Sequence, residues 1–576
     1  MEQIETDVLV LGAGGAGLCA ALRAADHGRR LSVTVVVKGL LGRAGCTRMV
    51  QGGYNVVVSP DDSLEAHFRD TLRGGGWIND QEIVWALVST APARVLELES
   101  RYGCFFDRTP DGRLHQKPFA GQTFDRTVHK GDLTGIEIMN RLAEQTHARP
   151  SIRVLEEHRA LELLADGAGR VGGALLLDMR RGEFVLVKSR AMLLATGGGP
   201  AMYKVFACSA DKSADGIALA YRAGAPLQDM EMIQFHPTGL VVPGSLMTGA
   251  LLEEGLRGAG GRLYNGQGER YMGRYDAARL ERSTRDVVAR ANYLEGLEGR
   301  GGPNGGVFLD VSHLGAEFVQ RNFRGMVKRC RDFGWDLATQ PVEVMPTAHF
   351  MMGGIRISPE CFTGIEGLFA AGEDAGGVHG ANRLGGNGVA DSTVFGGIAG
   401  DTMADWIEGR SQPVICEAQA GETMARVLFP LGRQGGRSPA ALKAELREAM
   451  WAGAGLVRDA AGLDAARSRV DQLREAWQQA GVPAGRTYNL AWQEWLNLGN
   501  QLLVSEMIVR SALLREESRG SHFRQDHPLA DDARWLVNVC LQSGGDGMKV
   551  WTEPVRLTRL RPDAGPRALE SVDISD

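Results

Sequence analysis

One arginine, Arg383, lies within a glycine-rich run at residues 379–397, which reads HGANRLGGNGVADSTVFGG. Glycine loses more backbone freedom on folding than any other residue, so a dense run of glycines has a cost in stability. Such a run lets the backbone come very close to a flat or charged group. It therefore indicates a binding site that includes Arg383, and other segments of the chain must identify the ligand.

The start of the chain has the pattern of a dinucleotide-binding unit. Residues 7–28, DVLVLGAGGAGLCAALRAADHG, are typical of a strand, a glycine turn and a helix, and a second strand is predicted at 33–39. Gly12, Gly14 and Gly17 have the spacing G-x-G-x-x-G, which lets backbone N–H groups reach a pyrophosphate at the helix N-terminus. The alternative is a strand-to-helix turn with incidental glycines.

The predicted cofactor is FAD. The second strand ends at Lys38, whereas a simple NAD site usually has Asp or Glu there for a ribose hydroxyl. Two later segments, AMLLATGGG at 191–199 and GLFAAGEDAGG at 367–377, are predicted strands. In two-dinucleotide-type flavoproteins such strands return to the first sheet and close over the cofactor.

These patterns predict an α/β fold with an FAD-binding, Rossmann-type (two-dinucleotide-like) domain that is discontinuous, at 1–232 and 353–405. The intervening segment, 233–352, is predicted to be an inserted α+β capping domain for the substrate. The chain has 576 residues, which agrees with two to four domains.

Composition limits the possible partners. The net charge of −6 gives no electrostatic case for nucleic acid or an acidic membrane surface. The eight cysteines are scattered without a C-x-x-C pair, which argues against disulfides, a metal site or an iron–sulfur cluster within the chain. No apolar run reaches the ~18 residues of a membrane span, and the first residues lack a signal-peptide pattern. We therefore expect a cytoplasmic protein without a membrane segment of its own.

A family resemblance covers almost the whole chain. The chain resembles the flavoprotein subunit of succinate dehydrogenase and fumarate reductase, with L-aspartate oxidase as close kin. The resemblance rests on these segments: QGGYNV (51–56), PFAGQ (118–122), RTVHKGDLTG (126–135), ADGIALAYRAGA (214–225), FHPTGL (235–240), EEGLRGAGG (253–261), RDVVAR (285–290), PTAHFMMGGI (346–355), HGANRLGGN (379–387) and REESRGSHFRQDHP (515–528).

The resemblance also implies the architecture after the glycine-rich run. It predicts a helical domain at 410–530 and a small C-terminal region at 531–576. The apolar spacing of residues 489–518 supports the helical domain independently.

The family reaction transfers a hydride between flavin N5 and one carbon of a dicarboxylate, and a proton moves at the neighbouring carbon. The resemblance implies that His236, His349 and Arg383 hold the substrate carboxylates. Arginine suits this role because its planar fork binds carboxylate bidentately. For either histidine, the alternative is a hydrogen-bonded, partly buried imidazole without a functional role.

The resemblance assigns the catalytic proton to Arg285. An arginine has a pKa above ~12, so it can act as an acid only if nearby cations lower that pKa and a relay returns the proton. Glu254 and Arg257 match the family relay and, being three residues apart, would share a helix face. The alternative for Arg285 is a surface ion pair with Asp286.

Contacts to FAD are expected from the glycine turn, the end of the second strand, the segment near 45–53 and the later strands. The predicted cofactor residues are Gly12, Ala13, Gly14, Gly15, Ala16, Gly17, Lys38, Gly45, Cys46, Thr47, Gln51, Gly52, Gly53, Thr196, Gly197, Asp215, Glu373, Arg383, Gly388 and Val389.

Two positions depart from the family pattern. Cys46 occupies the place of the histidine that binds the flavin 8α-methyl group covalently in many members, so we predict non-covalent FAD, with a cysteinyl link as the alternative. A flavin without the link should have a lower potential, which favours fumarate reduction.

The segment before Glu254 is about five residues longer than in the family. The substrate-binding threonine is therefore either Thr248 or replaced by Glu253, which puts the identity of the dicarboxylate in question.

Three functions remain possible, and the first is an enzyme that interconverts fumarate and succinate or a related dicarboxylate. The second is an L-aspartate-oxidase-type enzyme, which Phe119 disfavours. The resemblance implies that a phenylalanine here packs near the substrate in the succinate and fumarate branch, whereas the oxidase branch typically has a glutamate to meet the substrate ammonium. The third is a non-catalytic flavin-binding subunit. The family often passes electrons to a membrane anchor through an iron–sulfur subunit, so separate electron-transfer partners and membrane association through them are expected.

Overall fold

The computed structural model describes residues 1–545 and 547–562. The strands in these ranges are β1 Glu2–Leu11, β2 Val33–Val37, β3 Tyr54–Asn55, β4 Gln116–Lys117, β5 Thr127–Val128, β6 Ile152–Glu156, β7 His158–Ala165, β8 Val171–Asp178, β9 Glu183–Leu194, β10 Leu227–Gln228, β11 Ile233–Leu240, β12 Ala250–Leu251, β13 Arg262–Tyr264, β14 Val307–Asp310, β15 Val342–Met351, β16 Gly354–Ile355, β17 Leu368–Ala370, β18 Val537–Gly544 and β19 Gly547–Pro554.

The helices in the same ranges are α1 Gly15–Ala25, α2 Leu64–Gly74, α3 Gln81–Ser100, α4 Thr134–His147, α5 Asp215–Arg222, α6 Gly255–Gly258, α7 Arg285–Leu297, α8 Ala316–Asn322, α9 Arg324–Arg331, α10 Asn387–Trp406, α11 Glu417–Leu428, α12 Pro439–Ala454, α13 Ala460–Gln479, α14 Leu490–Leu514 and α15 Asp532–Trp535. None of these helices is long and apolar enough to cross a bilayer.

A seven-stranded sheet carries the glycine turn. Its order is β6-β2-β1-β9-β8-β7, with β17 also paired to β9. The strands β6, β2, β1, β9 and β17 run parallel, and β8 and β7 continue the sheet antiparallel. The end of β1 is buried on both faces, as a central parallel strand requires. The prediction that both later strands return to the first sheet is confirmed, since residues 191–194 pair with β1 and with β17.

A second sheet lies within the predicted capping segment. Its antiparallel strands have the order β12-β11-β15-β14-β13, and they pack with α7 and neighbouring helices around a separate apolar core. This separate core supports the prediction that the segment is an inserted structural unit. The boundaries of the domains stay a prediction.

Four helices, α11 to α14, follow α10 and account for the predicted helical region. The side chains of Ser438, Asp459 and Asn489 accept hydrogen bonds from the first turns of α12, α13 and α14, and so cap them. The long helix α14 packs against α12, α13 and α5, which joins this region to the FAD-binding part.

The C-terminal region has more order than the sequence indicated. Strands β18 and β19 form a hairpin that extends a small sheet of order β16-β10-β18-β19. Short strand β10 therefore ties the chain near residue 227 to the C-terminal hairpin. The last part of this predicted region, 563–576, lies outside the described residues.

Candidate active site

One large cavity extends from the glycine turn after β1 to the buried histidines and arginines of the second sheet. It contains about 1850 Å³ of empty space, part of it open to solvent. It has the glycine turn at one end and His236, Arg285, His349 and Arg383 at the other, so its lining suits a dinucleotide together with a small anionic substrate. It is lined by every predicted cofactor residue except Gly17.

The glycine turn leaves no room for a side chain at Gly12 or Gly17. Gly12 has φ +114°, and a Cβ there would lie 2.1 Å from the carbonyl oxygen of Ala195. Gly17 lies under the turn, because a Cβ on it would be 1.9 Å from the oxygen of Gly12. The turn is thus built for close backbone approach, and α1 begins there without a side-chain cap at Gly14. These features fit a pyrophosphate at a helix N-terminus.

We expect Gly12→Ala to lose FAD and stability. The added methyl group meets backbone atoms and the φ value is unfavourable for alanine, so the free energy of unfolding should fall by about 1–3 kcal/mol or more. The matched control is Gly421→Ala in α11, where a Cβ meets nothing within 4 Å. Thermal unfolding and the ratio of flavin to protein absorbance measure both effects. Equal flavin content in the two variants would contradict a binding role for the turn.

Lys38 is held by ion pairing at one end of the cavity. Its Nζ donates to Asp215 Oδ2 at 2.7 Å and to the carbonyl oxygen of Asp211 at 2.7 Å. Burial lowers the pKa of Lys38, and Asp215 opposes that change. Burial alone would raise the pKa of Asp215, but Lys38 and Arg159 lower it. The lysine that replaces the usual acidic residue is thus neutralised by an acid from α5.

The structure places Glu254 between Arg285 and Arg257. Arg285 Nε donates to Glu254 Oε2 at 2.7 Å, and its Nη2 lies 2.6 Å from the same oxygen. On the other side of the carboxylate, Arg257 Nη2 lies 4.0 Å from Glu254 Oε1. Burial would raise the pKa of Glu254, but Arg285 and Arg257 hold it below its ordinary value. Arg257 does not line the large cavity and lies behind Glu254 instead, on a smaller adjacent one.

The alternative of a surface ion pair between Arg285 and Asp286 is wrong. Arg285 is only 7% exposed and lines the cavity. Asp286 instead accepts a hydrogen bond from Asn382 Nδ2 at 2.9 Å.

Arg383 is a buried cation with unused hydrogen-bonding capacity. Its Nε has no hydrogen-bond partner among the described residues, and its guanidinium carbon lies 4.3 Å from the centroid of the Phe350 ring. Burial and the nearby Arg285 lower the pKa of Arg383 to about 9. A buried cation of this kind is stabilised by an anionic ligand.

His236 and His349 face each other, with ring centroids 5.5 Å apart. Burial lowers the pKa of both rings well below 6.5, and the neighbouring arginines add to this effect. Both are therefore neutral near pH 7. The backbone N–H of Thr238 donates to His236 Nδ1 at 3.3 Å, which places the proton of His236 on Nε2 as a donor.

Comparison with known proteins identifies the family. Residues 7–389 match the family model for the FAD binding domain, and residues 443–568 match the one for the fumarate reductase flavoprotein C-terminus. A subunit of the fumarate reductase (CoM/CoB) of Methanothermobacter marburgensis is 45% identical, over 92% of this chain and 95% of that protein. The chain belongs to the fumarate reductase and succinate dehydrogenase flavoprotein family. Its members are FAD-binding oxidoreductases that act on CH–CH bonds.

Two further relatives match over nearly their full lengths. The fumarate reductase flavoprotein subunit of Mycobacterium tuberculosis is 36% identical, over 96% of this chain and 98% of that protein. A solved structure of the Escherichia coli quinol fumarate reductase FrdA chain superposes with a TM-score of 0.93 at 32% identity, covering 98% of this chain and 99% of that one. The predicted fold class is therefore confirmed.

The structure does not bring Thr248 into the cavity of this family member. Its hydroxyl donates to the carbonyl oxygen of Val242 at 2.7 Å and accepts from the N–H of Val242 at 3.1 Å, so it closes a turn of the longer loop. Glu253 lines the cavity instead. The extra residues between β11 and α6 therefore form this turn. The substrate-binding role predicted for Thr248 is not supported.

Phe119 lines the cavity at the substrate end. Its ring lies across Gly52, where a Cβ would come within 2.2 Å of Phe119 Cζ. The ring therefore needs glycine at position 52 and packs an apolar wall beside Glu254 and Arg285. An apolar wall offers no hydrogen bond to an ammonium group.

Sequence reasoning missed one buried residue that connects the two arginines. Gln234 accepts from Arg285 Nη1 at 3.1 Å through its Oε1, and its Nε2 donates to the carbonyl oxygen of Arg383 at 2.7 Å. Gln234 lies two residues before His236 on the same strand, so the alternation of a strand was a signal that could have found it.

Proposed function

We propose that this chain interconverts fumarate and succinate at this cavity, with reduction of fumarate as the favoured direction. The observation that carries the proposal is Arg383, a buried guanidinium in the cavity whose Nε lacks a partner among the described residues. A dicarboxylate supplies the missing counter-charge. The second arginine, Arg285, already pairs with Glu254 and so has a different task.

The binding step follows from the neutral histidines and from Arg383. Arg383 meets one end of the dicarboxylate through its fork. His236 and His349 donate N–H groups to carboxylate oxygens, and their low pKa values keep them neutral, so binding requires no protonation of either ring near pH 7. Phe119 helps to exclude water from the substrate.

The proton step uses the cluster of Arg285, Glu254 and Arg257. FAD, when bound, supplies or accepts the hydride. In reduction, Arg285 gives a proton to the neighbouring carbon of the substrate, and the C=C bond becomes a C–C bond. Glu254, 2.6–2.7 Å away, passes to Arg285 a proton that it receives from Arg257 on its other side. Water supplies the replacement proton to Arg257, and Glu254 is again ionised between turnovers, as the two arginines favour.

The FAD is proposed to be non-covalent. Cys46 lines the cavity at the position where covalent members have histidine, and its thiol is only half-buried. We expect acid precipitation of the purified protein to leave all of the yellow flavin in the supernatant. Flavin that stays in the pellet of the unaltered protein and is released from Cys46→Ser would show a cysteinyl link and contradict this proposal.

Electrons for the reaction are proposed to come from a separate iron–sulfur or other electron-transfer subunit. The M. marburgensis relative is named as one subunit of its enzyme, and the E. coli relative is named a quinol fumarate reductase. These names support separate partners and, through them, association with a membrane. Rapid turnover of the isolated chain with oxygen or a nicotinamide donor alone would contradict the need for a partner.

Titration of the oxidised flavin band tests the proposal. Fumarate and succinate should shift the band with saturation, and L-aspartate should not, because Phe119 gives the ammonium group no partner. Steady-state fumarate reduction should be faster than succinate oxidation under matched conditions. A band shift with aspartate alone, together with release of peroxide, would instead indicate an L-aspartate-oxidase-type enzyme.

A further inference from the structure

Glu253 is a buried carboxyl group at the substrate end of the cavity to which the reaction above gives no task. It is 2% exposed, lines the cavity and precedes Glu254 in the chain. Lys117 Nζ donates to its Oε1 at 3.0 Å, whereas its Oε2 has no hydrogen-bond partner among the described residues. A buried carboxyl oxygen without a partner is costly, so the site is completed by a ligand or by a proton.

We propose that Glu253 is a specificity-determining residue that binds the substrate as the neutral acid, with its Oε2–H donating to a carboxylate oxygen. This inference rests on the proposed function. An ionised Glu253 would repel a dicarboxylate in this closed space, whereas a protonated one adds a donor to those of Arg383 and the two histidines. Where Glu253 is ionised in the free protein, binding of the dicarboxylate then takes up one proton.

The surroundings of Glu253 favour the protonated, neutral form of its carboxyl group. Burial raises the pKa of Glu253 to about 7, and the acids Asp132 and Glu254 add to this, whereas Lys117 opposes it. Asp132 is itself held by the backbone N–H groups of Gly325 and Met326 at the start of α9. A second carboxylate brought by the substrate would raise the pKa of Glu253 further.

The other groups at the substrate end of the cavity do not titrate in the same range. Asp374, whose pKa burial raises to about 7, lies against Thr196 and Gly197 at the FAD end. His236 and His349 are neutral near pH 7, because burial and the arginines lower their pKa values. The pKa of Arg383 is lowered to about 9, and an anionic ligand raises it again. Between pH 7 and pH 8.5 the loss of a proton from Glu253 is therefore the main change expected at the substrate end of the free site.

The sign of the pH dependence follows from linkage. Below pH 7 Glu253 is already protonated in the free protein, so the Kd for a dicarboxylate should be constant. Above pH 7 the free protein must take up a proton on binding, so the Kd should rise by up to about tenfold per pH unit. The rise in Kd ends when the pH exceeds the pKa that Glu253 has in the complex.

Titration calorimetry of the FAD-loaded protein with succinate at pH 6–8.5, in two buffers of different ionisation enthalpy, measures both Kd and proton uptake. We expect uptake to approach one proton near pH 8, and Kd to rise about fivefold from pH 7 to pH 8. In Glu253→Gln, a permanently neutral donor, both the uptake and the rise should disappear while succinate still binds. The matched control is Glu317→Gln, an exposed residue of α8, which should behave as the unaltered protein.

The outcomes separate the inference from the proposed function. Tight succinate binding without proton uptake, or uptake that persists in Glu253→Gln, would overturn the role of Glu253 and leave the proposed function intact. Absence of binding by succinate and fumarate at every pH would overturn both. Lys117→Met supplies a second readout, since loss of its charge should move the rise in Kd to higher pH.

Discussion

Replacement of Arg285 by glutamine is expected to lower kcat for fumarate reduction by a factor on the order of 10²–10⁴ while the protein keeps FAD and binds succinate. Glutamine occupies similar space but has no proton to give at the reacting carbon. The structure places Arg285 in the cavity with Glu254 Oε2 at 2.6–2.7 Å, so this pair can return a proton after each turnover. Steady-state rates with a chemically reduced viologen measure the change.

The control for this variant is Arg321→Gln on the exposed surface of α8, which removes the same charge at a residue that does not line the cavity. It should leave kcat unchanged. A fall in kcat below tenfold for Arg285→Gln, with FAD content and succinate affinity preserved, would contradict the assignment of the proton to this residue.

Replacement of Arg383 by glutamine is expected mainly to weaken binding of the dicarboxylate substrate. The variant leaves a substrate carboxylate buried without its cation, which costs about 2–5 kcal/mol. The Kd for succinate should therefore rise by a factor on the order of 10²–10³. Band-shift titration of the bound flavin measures this directly, and kcat/KM should fall in parallel.

Two further results separate this effect from a loss of structure. The backbone of Arg383 is fixed by Gln234 and lies against the cofactor part of the cavity, so the flavin-to-protein ratio shows whether the local structure is retained. Arg324→Gln, exposed at the start of α9, is the charge-matched control. Unchanged succinate affinity in Arg383→Gln would show that this arginine does not bind the substrate.

Local patterns in the sequence predicted the parts of the site that depend on neighbouring residues. The turn at Gly12 and Gly14 follows from a strand, a fixed glycine spacing and a helix, which are read within one segment. The return of residues 191–194 to β1 follows from an apolar strand that ends in T-G-G. The resemblance placed His236 and Arg383 together, although they are far apart in the chain.

The parts that depend on loop geometry were not predictable in the same way. The sequence predicted Thr248 as the substrate-binding residue, with Glu253 as the alternative, because a longer loop can place either residue near the substrate. The structure uses Thr248 to close a turn with Val242, and it leaves Glu253 at the cavity. The pairing of the C-terminal hairpin with β10 was also missed, because a two-residue strand has no detectable periodicity.

The most direct test of the account is a single turnover without oxygen. The FAD of the purified protein is reduced chemically, and the protein is then mixed with fumarate in a stopped-flow instrument while the flavin band is followed. We expect saturable reoxidation of the flavin with formation of one succinate per flavin, and we expect Arg285→Gln to lose this reaction. Reduced flavin that stays reduced at every fumarate concentration, in protein that retains its FAD, would contradict it.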